Sequence, residues 1–275
     1  MGIINVTPDS FYSGGGYHGL QEVVDRAGEM VEAGAHLLDI GGESSRPGAL
    51  PVSVAEELDR VVPIIEALGR SLPVPLSVDT RKSEVARAAL VAGASIVNDI
   101  SALRDDPDMA AVVARAGADL ILMHMQGSPH DMQNNPHYDD VLQEVADFLH
   151  TRVETAAAAG IDKSSITTDP GIGFGKRLED NLALLANPEA CRVNGCPVLI
   201  GASRKSFINL IQPDTLPDQR LAGTLAAHLF SVAAGGCDLL RVHDVAETIQ
   251  ALSVWRALEK YTGCGQSTGM LNDCS

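Results

Sequence analysis

The sequence is short of positive charge: 20 lysines and arginines stand against 36 aspartates and glutamates over 275 residues, for a formal net charge of -16. That shortage excludes an extended basic face, and with it nucleic acid or an anionic membrane as partner. Aromatic residues are also scarce, at 4% with one Trp, so the core has to be built from the aliphatic part of a 45% hydrophobic composition. The five cysteines (Cys191, Cys196, Cys237, Cys264 and Cys274) are odd in number and form no C-x-x-C pair. This suits a reducing compartment with free thiols, and the spacing is too wide for a zinc site. No apolar run approaches the roughly 18 residues of a spanning helix. The opening stretch "MGIINVTPDS" has neither the basic nor the apolar region of a signal peptide. The expectation is a cytoplasmic protein.

What is present includes one loop with the look of a nucleotide site, "DPGIGFGK" (169–176). It meets neither nucleotide pattern. Three residues, not four, separate Gly171 from Gly175, Lys176 is followed by Arg177, and the glycines read G-x-G-x-G instead of G-x-G-x-x-G. The loop needs another explanation.

A repeated grammar sets the architecture. "VEAGAHLLDI" (31–40), "LVAGASIVNDI" (90–100) and "ARAGADLILMH" (114–124) each end a helical pattern in Ala-Gly and continue into a short apolar run; 156–170 and 232–244 are looser copies. Glycine suits the left-handed residue that closes a helix. A short, non-alternating apolar run is how a parallel strand covered on both faces reads. Adding the strands without a close copy gives eight: 2–6, 36–41, 74–79, 95–99, 119–124, 165–169, 197–202 and 239–243. Helical spacing lies between them, as in Leu20, Val23, Val24, Ala27, Met30 and Val31, and Ser53 to Glu56 looks like a capping box. Eight strand–helix units predict an α/β fold, a (β/α)8 TIM barrel forming a single domain over 1–261 with its active site at the C-terminal strand ends. A doubly wound open sheet is the alternative. Residues 262–275 have no periodicity and read as a disordered tail. Nothing in the sequence ahead of the first strand could plug the barrel floor, so helices or a partner subunit are expected to cover it.

The barrel reading demands polar residues just after each apolar run, and they are there: Asn5, "GGESSRPG", Asp79, Asn98-Asp99, His124, Asp169, "GASRKS" and "RVHD". Asp79, Asn98 and Asp169 would form a hydrogen-bonding group suited to a flat heterocycle with N–H donors. Arg46, Lys205, Arg241 and His243 would supply positive charge suited to phosphate. One Asp at a strand end is often only a helix cap; a polar residue at nearly every strand end points to function. His124, His130 and His137 are spaced too irregularly for a helical metal pair, and the cysteines read as packing or surface residues.

Eight motifs now carry a resemblance. "INVTPDSF" (4–11), "DIGGESSRPGA" (39–49), "SVDT" (77–80), "NDI" (98–100), "LMHMQG" (122–127), "DPGIGFGK", "SRKSF" (203–207) and "RVHDV" (241–245) occur in the order found in the dihydropteroate synthases, a family of pterin-binding enzymes of folate biosynthesis. The resemblance runs from residue 1 to about 260. It implies a TIM barrel, commonly dimeric, joining 6-hydroxymethyl-7,8-dihydropterin diphosphate to p-aminobenzoate with Mg²⁺ assisting and pyrophosphate leaving. By resemblance, the pterin pocket would use Asp79, Asn98, Ile100, Met123, Asp169, Gly201, Lys205 and Arg241. The diphosphate would meet Asn5, Arg46, Arg241 and His243, with Asn5 also on Mg²⁺. The aminobenzoate would lie among Phe11, Ser45, Pro47, Phe174, Lys205 and Ser206. Asn5, Arg46, Lys205, Arg241 and His243 would be the catalytic set. "DPGIGFGK" would then be a wall of the pterin slot, its glycines letting backbone approach the ring.

Three positions depart from the family pattern: Ser45 for a common Thr, Ile172 for a Phe, and Asn209 where "SRKSxIG" ends in Gly. The last two lie near loops around the aminobenzoate and bear on sulfonamide sensitivity, and so on antibiotic resistance, more than on the reaction. The competing functions are a pterin-dependent methyltransferase using methyltetrahydrofolate, a non-catalytic pterin-binding module and an aldolase-type barrel. The intact diphosphate set argues against the first two, and the absence of a lysine within a strand against the third.

Overall fold

The computed structural model describes residues 1–6, 17–45 and 48–261. The apolar runs form eight strands: β1 (Gly2–Asn5), β2 (Leu38–Gly41), β3 (Leu76–Asp79), β4 (Ile96–Asp99), β5 (Asp119–Met123), β6 (Ile166–Asp169), β7 (Leu199–Ile200) and β8 (Leu239–Leu240). Helices alternate with them: α1 (Tyr17–Glu32), α2 (Val54–Ser71), α3 (Ser83–Ala92), α4 (Met109–Ala116), α5 (Val141–Ala158), α6 (Leu178–Ala186), α7 (Phe207–Ile211), α8 (Leu221–Ala234) and α9 (Val245–Glu259). The Ala-Gly junctions end helices as their sequence suggests; Gly117 closes α4 in the left-handed region at φ 62. Ser53 Oγ accepts the Glu56 N–H at 3.2 Å and opens α2.

Strands β1 to β6 form one parallel sheet in chain order, and β7 pairs in parallel with β8. Single bridges Thr168–Val198 and Gly2–Val242 join the two sheets and close the ring into a (β/α)8 barrel. Strands β7 and β8 are shorter than the runs 197–202 and 239–243 suggest. Pro197 has no N–H to give, Val198 N donates to Asp238 Oδ2 at 2.8 Å, and Ala202 N turns away to His228 Nε2 at 3.2 Å.

Strand residues alternate between two apolar environments. Leu38, Ile40, Leu76, Val78, Val97, Leu120 and Leu122 face the helices and meet Ile64, Ile65 and Leu68 of α2 within the main core. Fully burying each such side chain is worth about 1.5–3 kcal/mol. The residues between them point into the barrel. Met1, Ile96, Ile121 and Leu199, with Leu37 and Leu239, fill its lower end, so the chain's own side chains occupy the floor. The intervening residues at the opposite end of the strands are the polar ones.

Candidate active site

Parallel register sets these inward residues side by side. Asp39 pairs with Ser77, Asp79 with Asn98, and Met123 with Asp169. Arg241, just after β8, reaches across β1: its Nε donates to Asp39 Oδ2 at 2.6 Å and its Nη2 to Asp79 Oδ2 at 2.8 Å. Asn98 Nδ2 donates to the same Asp39 oxygen at 3.1 Å. Thus one guanidinium, two carboxylates and one amide form a continuous network in the barrel mouth. Burial pushes the Asp79 carboxyl above the ordinary carboxylate range; Arg241 opposes that rise and neighbouring Asp39 adds to it.

On the other side, Asp169 Oδ1 accepts the Gly171 N–H at 2.7 Å. Burial raises the Asp169 pKa, and nearby Lys205 is the strongest group opposing it. Lys205 Nζ donates to the Ile172 carbonyl and lies 4.4 Å from the centroid of the Phe174 ring. Burial brings the Lys205 ammonium down to about 8. Gly201 lies between the two cations: a Cβ added there would stand 3.8 Å from Arg241 Cβ and 4.0 Å from Lys205 Nζ. Ile100 and Met123 join Met125 and Met132 in an apolar cluster against which Phe174 packs. The eight residues expected around the pterin therefore meet at one end of the barrel.

His243 differs from expectation. Its Nδ1 is 2.9 Å from Ser203 Oγ, and burial, with Arg241 and Arg204 adding to it, takes its pKa down to about 4. At neutral pH it contributes an N–H donor and no charge. Asn5 is exposed at the end of β1, Ser45 borders a cleft with Glu43, Asp79, Thr80 and Ile100, and Ser206 is exposed at the start of α7. Phe11, Arg46 and Pro47 lie outside the described residues, as does the tail 262–275.

The glycines of "DPGIGFGK" also have a different task from the one expected. A Cβ on Gly171 (φ 68) would stand 1.9 Å from the His124 carbonyl oxygen, and one on Gly175 would stand 2.4 Å from that of Gln126. They allow this loop to pack on the loop after β5; only Gly173 faces the site, with an added Cβ 3.1 Å from Lys205 Cδ. Asn181 Oδ1 accepts the Gly173 N–H at 2.6 Å, and buried Lys176 donates to the Phe174 carbonyl at 3.0 Å and to His124 Nδ1 at 2.8 Å. His124 is therefore a neutral acceptor inside the wall, held so mainly by burial and then by Lys176. Ile172 points its side chain into the core with Phe207 and Ile208, not toward the mouth, and Asn209 Oδ1 accepts the Thr215 N–H at 3.0 Å. Cys191 and Cys196 are buried and Cys237 half-buried, all with thiols raised by burial, which suits packing and not nucleophilic chemistry.

Sequence reasoning passed over Asp39, Lys176 and Asn181. Asp39 had a readable signal: a carboxylate inside the apolar run "LLDIGG" has to be paired once the strand is buried. The other two are visible only through the loop they hold.

The description "Pterin binding enzyme" belongs to a family model that matches residues 1–243. Dihydropteroate synthase of Synechocystis sp. is 48% identical over 261 residues, covering 94% of this chain and 89% of that protein. Among solved structures, dihydropteroate synthase of Xanthomonas albilineans with 4-aminobenzoic acid is 51% identical at a TM-score of 0.87, covering 94% of this chain and 92% of that one. The Yersinia pestis dihydropteroate synthase in complex with a sulfonamide drug is 44% identical at a TM-score of 0.88, covering 94% of both chains. The order of motifs, the closed barrel and the joined acid and cation sets agree with these matches, and the chain belongs to the family of pterin-binding enzymes.

Proposed function

We propose that the protein is a dihydropteroate synthase of folate biosynthesis, a transferase that joins 6-hydroxymethyl-7,8-dihydropterin diphosphate to p-aminobenzoate, giving 7,8-dihydropteroate and pyrophosphate. The observation that carries this reading is the meeting of Asp39, Asp79, Asn98 and Asp169 with Lys205, Arg241 and His243 at one barrel mouth. Carboxylates and an amide match the N–H donors of a pterin; cations and an N–H donor match a diphosphate.

The reaction is a substitution at the exocyclic methylene. The amine nitrogen forms a bond to carbon, the carbon–oxygen bond breaks with its electrons going to the diphosphate, and the amine loses a proton. An aromatic amine is neutral at pH 7, so no strong base is required. The barrier lies in charge on the leaving group, which Arg241 and the His243 N–H are suited to stabilise, with Arg46 in the same role. Asp79, Asn98 and Asp169 would orient the ring over the Ile100–Met123 cluster. Lys205 and Phe174 would border both ring systems, with Ser45, Ser206, Phe11 and Pro47 around the aminobenzoate. Holding both partners in line supplies the proximity gain.

Magnesium fits this site in a limited way. No group of three His, Cys, Asp or Glu suited to a metal occurs among the described residues, so no protein cage is available. Mg²⁺ keeps its waters and binds through one or two protein oxygens plus substrate phosphates, and the exposed Asn5 side chain at the mouth is a donor of that kind. When bound it would supply charge to the diphosphate oxygens.

A homodimer is supported by Phe230 on α8 with Val254 and Leu258 on α9, which are 61%, 56% and 62% exposed. Large apolar side chains left exposed on two adjoining helices suit a second copy of the chain. Sulfonamides are expected to compete for the aminobenzoate position, with Ser45 bearing on how well. No helix among the described residues is long and apolar enough to cross a membrane, in keeping with a cytoplasmic enzyme.

The deciding experiment mixes the protein with pterin diphosphate, Mg²⁺ and p-aminobenzoate and follows pyrophosphate. Aminobenzoate-dependent release is expected. Its absence from folded protein would remove the synthase reading, and repeating the assay with a sulfonamide reads sensitivity or resistance directly.

A further inference from the structure

We propose that Asp39 is a positioning residue that holds the Nε edge of Arg241 in place throughout turnover, leaving the Nη2 edge as the part that changes partner from Asp79 to the substrate. This rests on the synthase reading above, in which Asp79 serves the pterin.

The two carboxylates on Arg241 are not equivalent. The Asp39 side chain is 0% exposed, whereas that of Asp79 is 14% exposed and Arg241 itself 20%. A ligand entering the mouth can reach Asp79 and Nη2 without reaching Asp39. The costs of release also differ. Asp39 Oδ2 takes the Nε–H at 2.6 Å and the Asn98 amide at 3.1 Å, while Asp39 Oδ1, buried, has no partner among the described residues. Taking Arg241 away would leave a buried carboxylate on one neutral donor, which is heavily disfavoured. Asp79, by contrast, is open enough to the mouth for a pterin N–H to take the place of the arginine N–H. The guanidinium is a rigid plane, so a hydrogen bond held at Nε fixes the direction in which its neighbour Nη2 points. Arg241 would thus keep its Nε–H on Asp39 and its charge at the mouth while Nη2 takes a new acceptor. Asp39 touches no substrate in this account and acts through Arg241 and Asn98.

The test uses the full chain and Asp39→Asn, which keeps the side-chain volume and removes the charge. In the pyrophosphate assay the KM for pterin diphosphate should rise or kcat fall by at least about tenfold, toward the roughly hundredfold loss that misplacement by an ångström can bring. The KM for p-aminobenzoate should stay within about twofold. A merely structural effect would lower activity in proportion to folded protein and leave both KM values alone. Arg241→Lys removes the fork, so Asp39→Asn should add less than about twofold on that background; losses that multiply would overturn the coupling. Should Asp39→Asn not fold, wild-type protein labelled with ¹⁵N-arginine supplies the reading. The Arg241 Nε–H signal, assigned by its loss in Arg241→Lys, should stay protected from solvent exchange on saturation with pyrophosphate and Mg²⁺. Loss of that protection would overturn the anchor. This reading needs no turnover, so it separates failure of the anchor from failure of the synthase assignment.

Discussion

Gly171 and His124 approach so closely that a methyl group on the glycine would stand 1.9 Å from the histidine carbonyl oxygen. No side-chain rotation relieves a clash with backbone, and φ 68 is unfavourable for alanine in any case. Gly171→Ala is expected to destabilise the fold by at least about 3 kcal/mol, at the large end of single substitutions. Urea unfolding measures this; a change below about 1 kcal/mol would mean that the two loops are not packed as described.

Lys205 should give the enzyme an unusually early alkaline limit. With its pKa lowered to about 8 by burial, the ammonium facing Asp169 and Phe174 is lost as pH rises through that value. The kcat/KM for pterin diphosphate is expected to fall with a midpoint near pH 8, and Lys205→Arg, permanently charged, should shift that limb upward whatever its effect on rate. A limb unmoved by the substitution assigns it to another group.

His228 links pH to stability. Its Nε2 accepts the Ala202 N–H, so its proton sits on Nδ1, which has no partner among the described residues, and burial lowers its pKa to about 4. A histidine whose folded pKa lies below its unfolded value binds fewer protons when folded. Its contribution is intact above about pH 6.5 and is lost as pH falls toward 4, at up to about 1.4 kcal/mol per pH unit. Asp79, raised by burial, works in the opposite sense over part of this range, so the comparison has to be by difference. The stability gap between wild type and His228→Gln is expected to shrink from pH 6.5 downward; a gap independent of pH would exclude the neutral buried histidine.

The exposed apolar face of α8 and α9 predicts the oligomeric state. Phe230→Glu combined with Leu258→Lys puts charge on side chains that are 61% and 62% exposed, so monomer stability should change by less than about 0.5 kcal/mol. Sedimentation should shift from dimer to monomer. A monomeric wild type, or a doubly substituted dimer, would remove this face as the interface.

Much of the fold and half of the site could be read from the residues alone because the barrel repeats one rule: an apolar run buried on both faces, then a polar residue at its mouth. Asp79, Asn98, Asp169 and Arg241 obey that rule and were legible. Asp39 breaks it by sitting inside the run, and its partner lies two strands away across β1, a relation that only register and closure create. The neutrality of His243 depends on burial and then on the nearness of Arg241 and Arg204, neither of which spacing records. Gly171 and Gly175 of "DPGIGFGK" accommodate the loop after β5, a neighbour that spacing does not reveal, and Gly173 alone of the three faces the site. The apolar runs at β7 and β8 extend beyond the paired residues because the missing donor at Pro197 and the claim of His228 on the Ala202 N–H leave no trace in hydrophobicity.

The wall of the barrel is made of two unequal pieces, six strands carrying every carboxylate and amide of the mouth and two strands leading into Lys205, Arg241 and His243. One backbone bridge on each side stitches them together. Arg241 already spans those pieces, reaching from the end of β8 to Asp39 on β2 and Asp79 on β3. That one side chain therefore clasps the seam of the ring as well as arming its mouth.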